Sequence, residues 1–226
     1  MLRLLLLLAA MPLAADAVIL SKYVAQDFAP RADPLAPEWK GALPIFAAND
    51  SMGAPTPHHR TEIRSLWSDQ YLYFLFVCPY EALNLKPDPT TTEETNKLWD
   101  WDVAEVFIGT DFQNIKHYKE FQVSPRGEWV DLDIDREHPM PEGGWRWDSG
   151  YTVAARIDFA KKIWYGAMRI PIGKIDARKP EAGLEMRVNF FRLQGPGPNR
   201  KRIAWQPTMK PTYHVPEAFG RLKLVK

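Results

Sequence analysis

From Glu62 onward the sequence is a succession of short runs, apolar or alternating, each closed by a proline, a glycine or a cluster of small polar residues. None of them keeps a helical period beyond about two turns. A chain punctuated in this way can bury its apolar faces only by stacking sheet on sheet. The clearest unit is 62–78. Ile63, Ser65 and Trp67 alternate with Glu62, Arg64 and Leu66, Ser68-Asp69-Gln70 turns the chain, and 71–77 returns without a charged residue. That return strand is expected to be buried on both faces. Further strands are predicted at 103–108, 118–123, 128–134, 145–147, 152–157, 163–171, 186–193, 203–205 and 221–225, with a single helical turn at 172–175. Ser124-Pro125-Arg126-Gly127 has the proline and glycine positions of a type I turn. About ten strands of this spacing predict an all-β protein, an antiparallel β-sandwich.

The ends of the chain carry different signals. Arg3, an apolar run over 4–13 and Ala15-Asp16-Ala17 have the order of a secretory signal peptide, with cleavage expected after Ala17. The run is too short to span a bilayer, and no later stretch reaches the roughly 18 apolar residues that a membrane helix needs. The expected location is secreted or periplasmic, and the expected state a monomer. Residues 18–60, with Pro30, Pro34, Pro37 and Pro44, read as an irregular arm anchored in the core by Trp39, and 61–226 as the sandwich itself. A formal charge of +1 provides no bulk attraction to nucleic acid or to a membrane surface. The basic cluster Asn199-Arg200-Lys201-Arg202 follows Gly195-Pro196-Gly197-Pro198 and reads as a solvated loop. Cys78 is the one cysteine, so no intramolecular disulfide can form, and its place in an apolar strand marks a structural thiol.

Chemistry concentrates in 98–135. Trp99, Asp100, Trp101, Asp102 and Glu105 fall within a few positions of one another, and Trp99 and Trp101 would share a face if they lay on a strand. Alternation puts Glu105 on the same face as Val103 and Phe107. A carboxylate so placed needs an arginine, a cation or ligand hydroxyls as partner. Arg126, at the turn, can donate fork-like hydrogen bonds. Asp131, Asp133 and Asp135 share one strand face, where either solvent or a cation must relieve their repulsion. They do not form an EF-hand, because Arg136 stands where the loop requires glycine. Neither a nucleophile motif, a His-Glu-x-x-His pair nor a phosphate loop is present, and the five histidines show no ligand spacing beyond His58-His59 in a loop. The chain is read as a non-enzyme.

Four segments in order resemble one family. Leu66-Trp67-Ser68-Asp69-Gln70-Tyr71-Leu72-Tyr73 is similar to its first hairpin, and Trp99-Asp100-Trp101-Asp102-Val103-Ala104-Glu105-Val106-Phe107-Ile108 to its strand of tryptophan, aspartate and Glu-Val-Phe. Tyr118-Lys119-Glu120-Phe121-Gln122-Val123-Ser124-Pro125-Arg126-Gly127 is similar to its second hairpin. Arg187-Val188-Asn189-Phe190-Phe191-Arg192, Trp205-Gln206-Pro207 and 214–222 are similar to its closing strands. The family is that of the family 9 carbohydrate-binding modules, with their DOMON-like relatives. The resemblance implies a β-sandwich that binds an oligo- or polysaccharide without bond-breaking chemistry, often beside xylanases, and structural calcium, for which Asp131, Asp133 and Asp135 are the candidates here. It implies a stacking ring at Trp99, hydrogen bonds from Glu105, Arg126 and Asn189, and, where a second tryptophan falls in the family, Arg192, whose guanidinium plane can also stack. Rival readings are a structural or protein-binding sandwich, an accessory to a glycoside hydrolase with weak activity of its own, and a haem domain using Met168 and His214.

Overall fold

The computed structural model describes residues 17–226. The signal-peptide reading therefore lies outside the described residues, apart from Ala17. Thirteen strands form one continuous, strongly bent sheet: β1 (Val18–Tyr23), β2 (Ile45–Ala47), β3 (Asn49–Asp50), β4 (Thr61–Trp67), β5 (Tyr71–Pro79), β6 (Val103–Gly109), β7 (His117–Val123), β8 (Trp129–Asp135), β9 (Thr152–Asp158), β10 (Ile163–Pro171), β11 (Glu185–Gln194), β12 (Lys201–Ala204) and β13 (Gly220–Val225). The order is β8-β7-β6-β11-β13-β1-β4-β5-β10-β9, with β2 beside β4 and β12 beside β11 and β3. Among the described residues, helical structure is confined to single 3-10 turns.

The sheet folds over so that its two halves face each other. Phe190 of β11 meets Phe74 and Phe76 of β5 edge-on, with ring centroids 5.4 and 6.2 Å apart. β7 and β10 come so close that a Cβ at Gly166 would lie 2.9 Å from Val123 Cγ1, so only glycine fits there. Tyr151 fastens the edge: it packs on Phe121 and donates its hydroxyl to the carbonyls of Gln122 at 2.6 Å and Val130 at 3.0 Å. The sandwich is thus as expected, with burial of β5 on both faces.

Three expectations need correction. The arm is not irregular throughout, because it begins with β1, which lies between β13 and β4 and runs parallel to both. Val18 to Lys22 register with Arg221 to Val225, and the Ser65 hydroxyl donates to Ser21 Oγ at 2.8 Å in the core. The remaining pairs in the sheet are antiparallel. Second, 145–147 is not a strand; only one bridge, Leu132 to Arg146, joins it to β8. Third, residues 79–95, whose Pro87, Pro89 and run of threonines suit a flexible loop, are tied down. Asn84 N–H donates to Asp102 at 3.1 Å, the Gln194 amide donates to Ala82 O at 2.6 Å, and Thr95 N–H donates to Trp129 O at 2.9 Å.

Trp39 does anchor the arm. It is 1% exposed in the 3-10 turn Pro37–Trp39, donates its indole N–H to Arg31 O at 3.1 Å, and belongs to a cluster with Tyr73, Leu75 and Tyr165 on the outer face of β5 and β10. Cys78 is fully buried, and burial pushes its thiol up to about 12. No helix among the described residues is long and apolar enough to cross a membrane.

Candidate functional site

Alternation along β6 sends Ala104, Val106 and Ile108 into the core between the sheet halves and Glu105 and Phe107 to the opposite face. There β7 contributes Tyr118 and Glu120, β8 Leu132 and Ile134, and β11 Phe191 and Leu193. Loops roof this second apolar layer incompletely and leave a groove of about 400 Å³ lined by Trp99, Glu105, Phe107, Glu120, Trp145, Arg200, Tyr213 and His214, among others. Its size is that of an ordinary small-ligand site.

Each wall has a local cause. Leu98, fully buried, nails down the 3-10 turn Leu98–Asp100, which opens at Lys97 in the left-handed conformation (φ 59°) and sets Trp99 half-buried in the groove wall. Trp99 and Trp101 are therefore not alternating strand residues. Asp102 holds the turn from below, accepting hydrogen bonds from the N–H groups of Asn84 and Gly195 and from the Gln194 amide. Arg200 holds it from the side, donating to the carbonyls of Trp99 (2.8 Å) and Trp101. Trp145, also half-buried, follows the paired glycines Gly143 and Gly144; its carbonyl accepts from Asp133 N–H at 2.8 Å. Tyr213 stacks on Phe191 at 4.1 Å, and His214 Nδ1 pairs with the Tyr118 hydroxyl at 2.7 Å. Burial pushes His214 down to about 4, so its ring is neutral at physiological pH.

The floor holds two carboxyl groups. Glu105 is 2% and Glu120 3% exposed. Glu120 accepts a hydrogen bond from the Gln122 amide at 2.5 Å, yet one oxygen of each, Oε2, is buried without a hydrogen-bond partner. Burial, and for Glu105 also the charge of Glu120, raises both above the usual carboxylate range, Glu120 to about 7. A glutamate held up in this way binds its proton more tightly folded than unfolded. The stabilisation is complete below the ordinary value of 4.5 and is lost as the pH rises through about 7. Unliganded protein is expected to melt at progressively lower temperature across that window, and Glu120→Gln to flatten the slope; calorimetry at a series of pH values measures both.

Of the five residues expected at the site, the structure brings Trp99 and Glu105 together in the groove. Arg126 lies elsewhere, beside a separate hollow with Thr91, Trp129 and Tyr151, and reaches Lys86 O at 3.3 Å. Asn189 shares the face of Glu105 but is committed to backbone: its amide donates to Gln206 O (2.9 Å), and its Oδ1 accepts from Phe190 and Gln206 N–H. Arg192 points the other way, into the core. It is 1% exposed, donates to Thr61 Oγ1 (3.2 Å), Pro79 O (2.7 Å) and Gln194 Oε1, and its guanidinium lies 5.7 Å from the Trp164 ring centroid. Met168 is buried in the core between the sheet halves and His214 lies in the groove-face layer, so the two belong to different faces.

The three aspartates of β8 do not act as a unit. Asp133 pairs with Lys119 at 2.5 Å, and Asp135 lies against His117 and His138. Asp131 is buried and accepts from Ser149 N–H at 2.9 Å and from the Ser149 hydroxyl, while its Oδ1 has no hydrogen-bond partner. Glu94 and Asp148 converge on it, with ligand oxygens within 4.8 Å of one another. Burial, and then Asp131, raises Glu94 to about 7.

Comparison with known proteins places this geometry in context. An extracellular protein of Arthroderma benhamiae is 23% identical over 181 residues, covering 75% of this chain and 80% of the relative. Endo-1,4-beta-xylanase A of Thermotoga maritima is 23% identical over 194 residues; the match covers 83% of this chain but only 16% of the xylanase. Among solved structures, a family 9 carbohydrate binding module from Caldicellulosiruptor kristjanssonii in complex with cellotriose superposes with a TM-score of 0.66 at 15% identity, covering 92% of this chain and 94% of the other. The same organism's module in complex with glucose gives 0.67 at 14%, covering 92% and 95%. The family model for carbohydrate family 9 binding domain-like proteins matches residues 34–226, and the chain belongs to that family.

Proposed function

We propose that the groove binds a carbohydrate, with a sugar ring against the indoles of Trp99 and Trp145 and its hydroxyls on Glu105 and Glu120. The observation that carries this reading is the floor: two buried carboxyl oxygens without partners lie in a groove walled by half-buried indoles. A sugar offers both hydroxyl donors and an apolar ring face, and so answers both halves of the lining. The structural relatives that hold cellotriose and glucose support the ligand class. The reaction class is binding alone, in the service of polysaccharide breakdown, for which the xylanase relative is the support. The apolar N-terminal run and the relative named as extracellular support export. Arg126, Asn189 and Arg192 are assigned structural roles.

Titration calorimetry with glucose, cellotriose and xylo-oligosaccharides tests the reading. Trp99→Ala and Trp145→Ala are each expected to weaken binding about fivefold, the effect of one lost stack of ~1 kcal/mol. Absence of heat with every sugar at millimolar concentration overturns it.

We also propose a structural calcium ion on Glu94, Asp131 and Asp148. Three convergent carboxylates suit a hard cation, and the unpartnered Asp131 Oδ1 is the orphan that such an ion would satisfy. Its chemistry there is neutralisation of charge, fastening the loop that carries Glu94 to β8. Calcium at a hundred times its dissociation constant is expected to stabilise the fold by about 2.7 kcal/mol. A chelator should reverse this, and Asp131→Asn should abolish it, with thermal melts as the readout.

A further inference from the structure

We propose that His117, Asp135 and His138 form a binding site for a transition-metal dication of the zinc class, with Glu137 as a fourth ligand. Four features carry it. His117 opens β7 and Asp135 closes β8, and the two are directly paired across the strands, so the sheet itself fixes one ligand against the other. His138 comes back onto the same carboxylate from three positions along the chain: its Nδ1 lies 2.6 Å from Asp135 Oδ2, while His117 Nε2 lies 2.7 Å from Asp135 Oδ1. The ligand atoms of the three residues all fall within 4.8 Å of one another. A tetrahedral zinc with bonds of about 2 Å sets its ligands about 3.3 Å apart, so small side-chain rotations admit the ion. Finally, the carboxylates are oriented by neighbours: Glu137 N–H donates to Asp135 Oδ1 at 2.8 Å, and Asn114 Nδ2 donates to Glu137 Oε2 at 3.3 Å, which leaves that oxygen 3.7 Å from His117 Nε2. Supporting hydrogen bonds of this kind hold metal ligands in register.

Two imidazoles select the metal class. Neutral ring nitrogens suit zinc, cobalt or nickel and are poor ligands for calcium, which the carboxylates around Asp131 suit instead. The site lies at the root of the 136–144 loop, where Arg136 N–H is already bonded to Lys116 O at 3.1 Å. That loop supplies Met140, Gly143 and Gly144 to the groove. A bound ion would staple its first turn to the β7–β8 edge. The metal site does not depend on what the groove binds.

The test uses the full chain without a histidine tag, in excess calcium, titrated with zinc by calorimetry and with cobalt by visible absorption. One zinc per chain is expected, with cobalt d–d bands of a nitrogen-containing tetrahedral or five-coordinate site. His138→Gln and His117→Gln are each expected to weaken zinc at least about tenfold and to bleach the cobalt bands. The His138 side chain is 74% exposed, so its replacement leaves the fold intact, and circular dichroism of the metal-free variant checks this. Zinc that fails to bind below millimolar concentration, or that binds both variants as well as the parent, overturns the proposal.

Discussion

Replacing Phe190 by alanine is expected to lower the unfolding free energy by about 3–5 kcal/mol. Phe190 is fully buried at the centre of the bent sheet, against Phe74 and Phe76 on one side and Trp205 on another, with centroids 5.4 to 6.2 Å away. Its removal opens a cavity between two rigid strand layers that cannot collapse toward each other without breaking their ladders. Against a total stability of about 5–15 kcal/mol for an ordinary domain, this is a large share. Urea denaturation of Phe190→Ala beside Phe112→Ala, an exposed aromatic, makes the comparison internal. A loss below 1 kcal/mol at Phe190 would mean that the two halves of the sheet do not pack through it.

The second large effect is expected at Arg192. Arg192→Ala should cost about 3–5 kcal/mol, because the buried guanidinium donates to Pro79 O, Thr61 Oγ1 and Gln194 Oε1, and its removal takes that donor from all three. Burial depresses the guanidinium's proton affinity, which Cys78 and then Asp102 partly restore. The variant that stays folded at low temperature should bind sugar as tightly as the parent. Calorimetry showing a tenfold loss of sugar affinity in a variant that keeps the parent's near-ultraviolet dichroism would return Arg192 to the ligand site.

Arg192 also shows where sequence reasoning stopped. A strand residue's face follows from counting by two, and that count correctly set Glu105 apart from Ala104 and Val106. Which face carries the groove is decided by loops that cover one side and not the other, and no local pattern records it. Arg192 and Glu105 lie on neighbouring strands facing opposite ways, a relation fixed only by the register that pairs Arg192 with Ala104. Trp145 was missed for a related reason: beside Trp147 it alternates like a strand, but the two glycines before it deliver it as a loop residue against the groove. Glu120 was not singled out, because its burial depends on the roof from 200–214. The acids that join Asp131 come from 94 and 148, far apart in the chain, so spacing along β8 could not reveal them. The strands themselves were legible almost throughout, since turn residues and side-chain period are local. The three strands of the arm were not: the apolar residues of β1 continue the N-terminal run and its partners are distant, and β2 and β3 are only three and two residues long.

That first strand has a consequence for how the molecule comes into being. β1 is made before any other strand, yet the partner that spans most of its length, β13, is made last. Until then the flank of β1 that pairs with β13 has no partner strand, although Lys22 and Tyr23 can already pair with β4. Pairing along that flank must await the synthesis of β13, which favours late assembly over stepwise folding during synthesis and leaves an unpaired edge exposed in the interval.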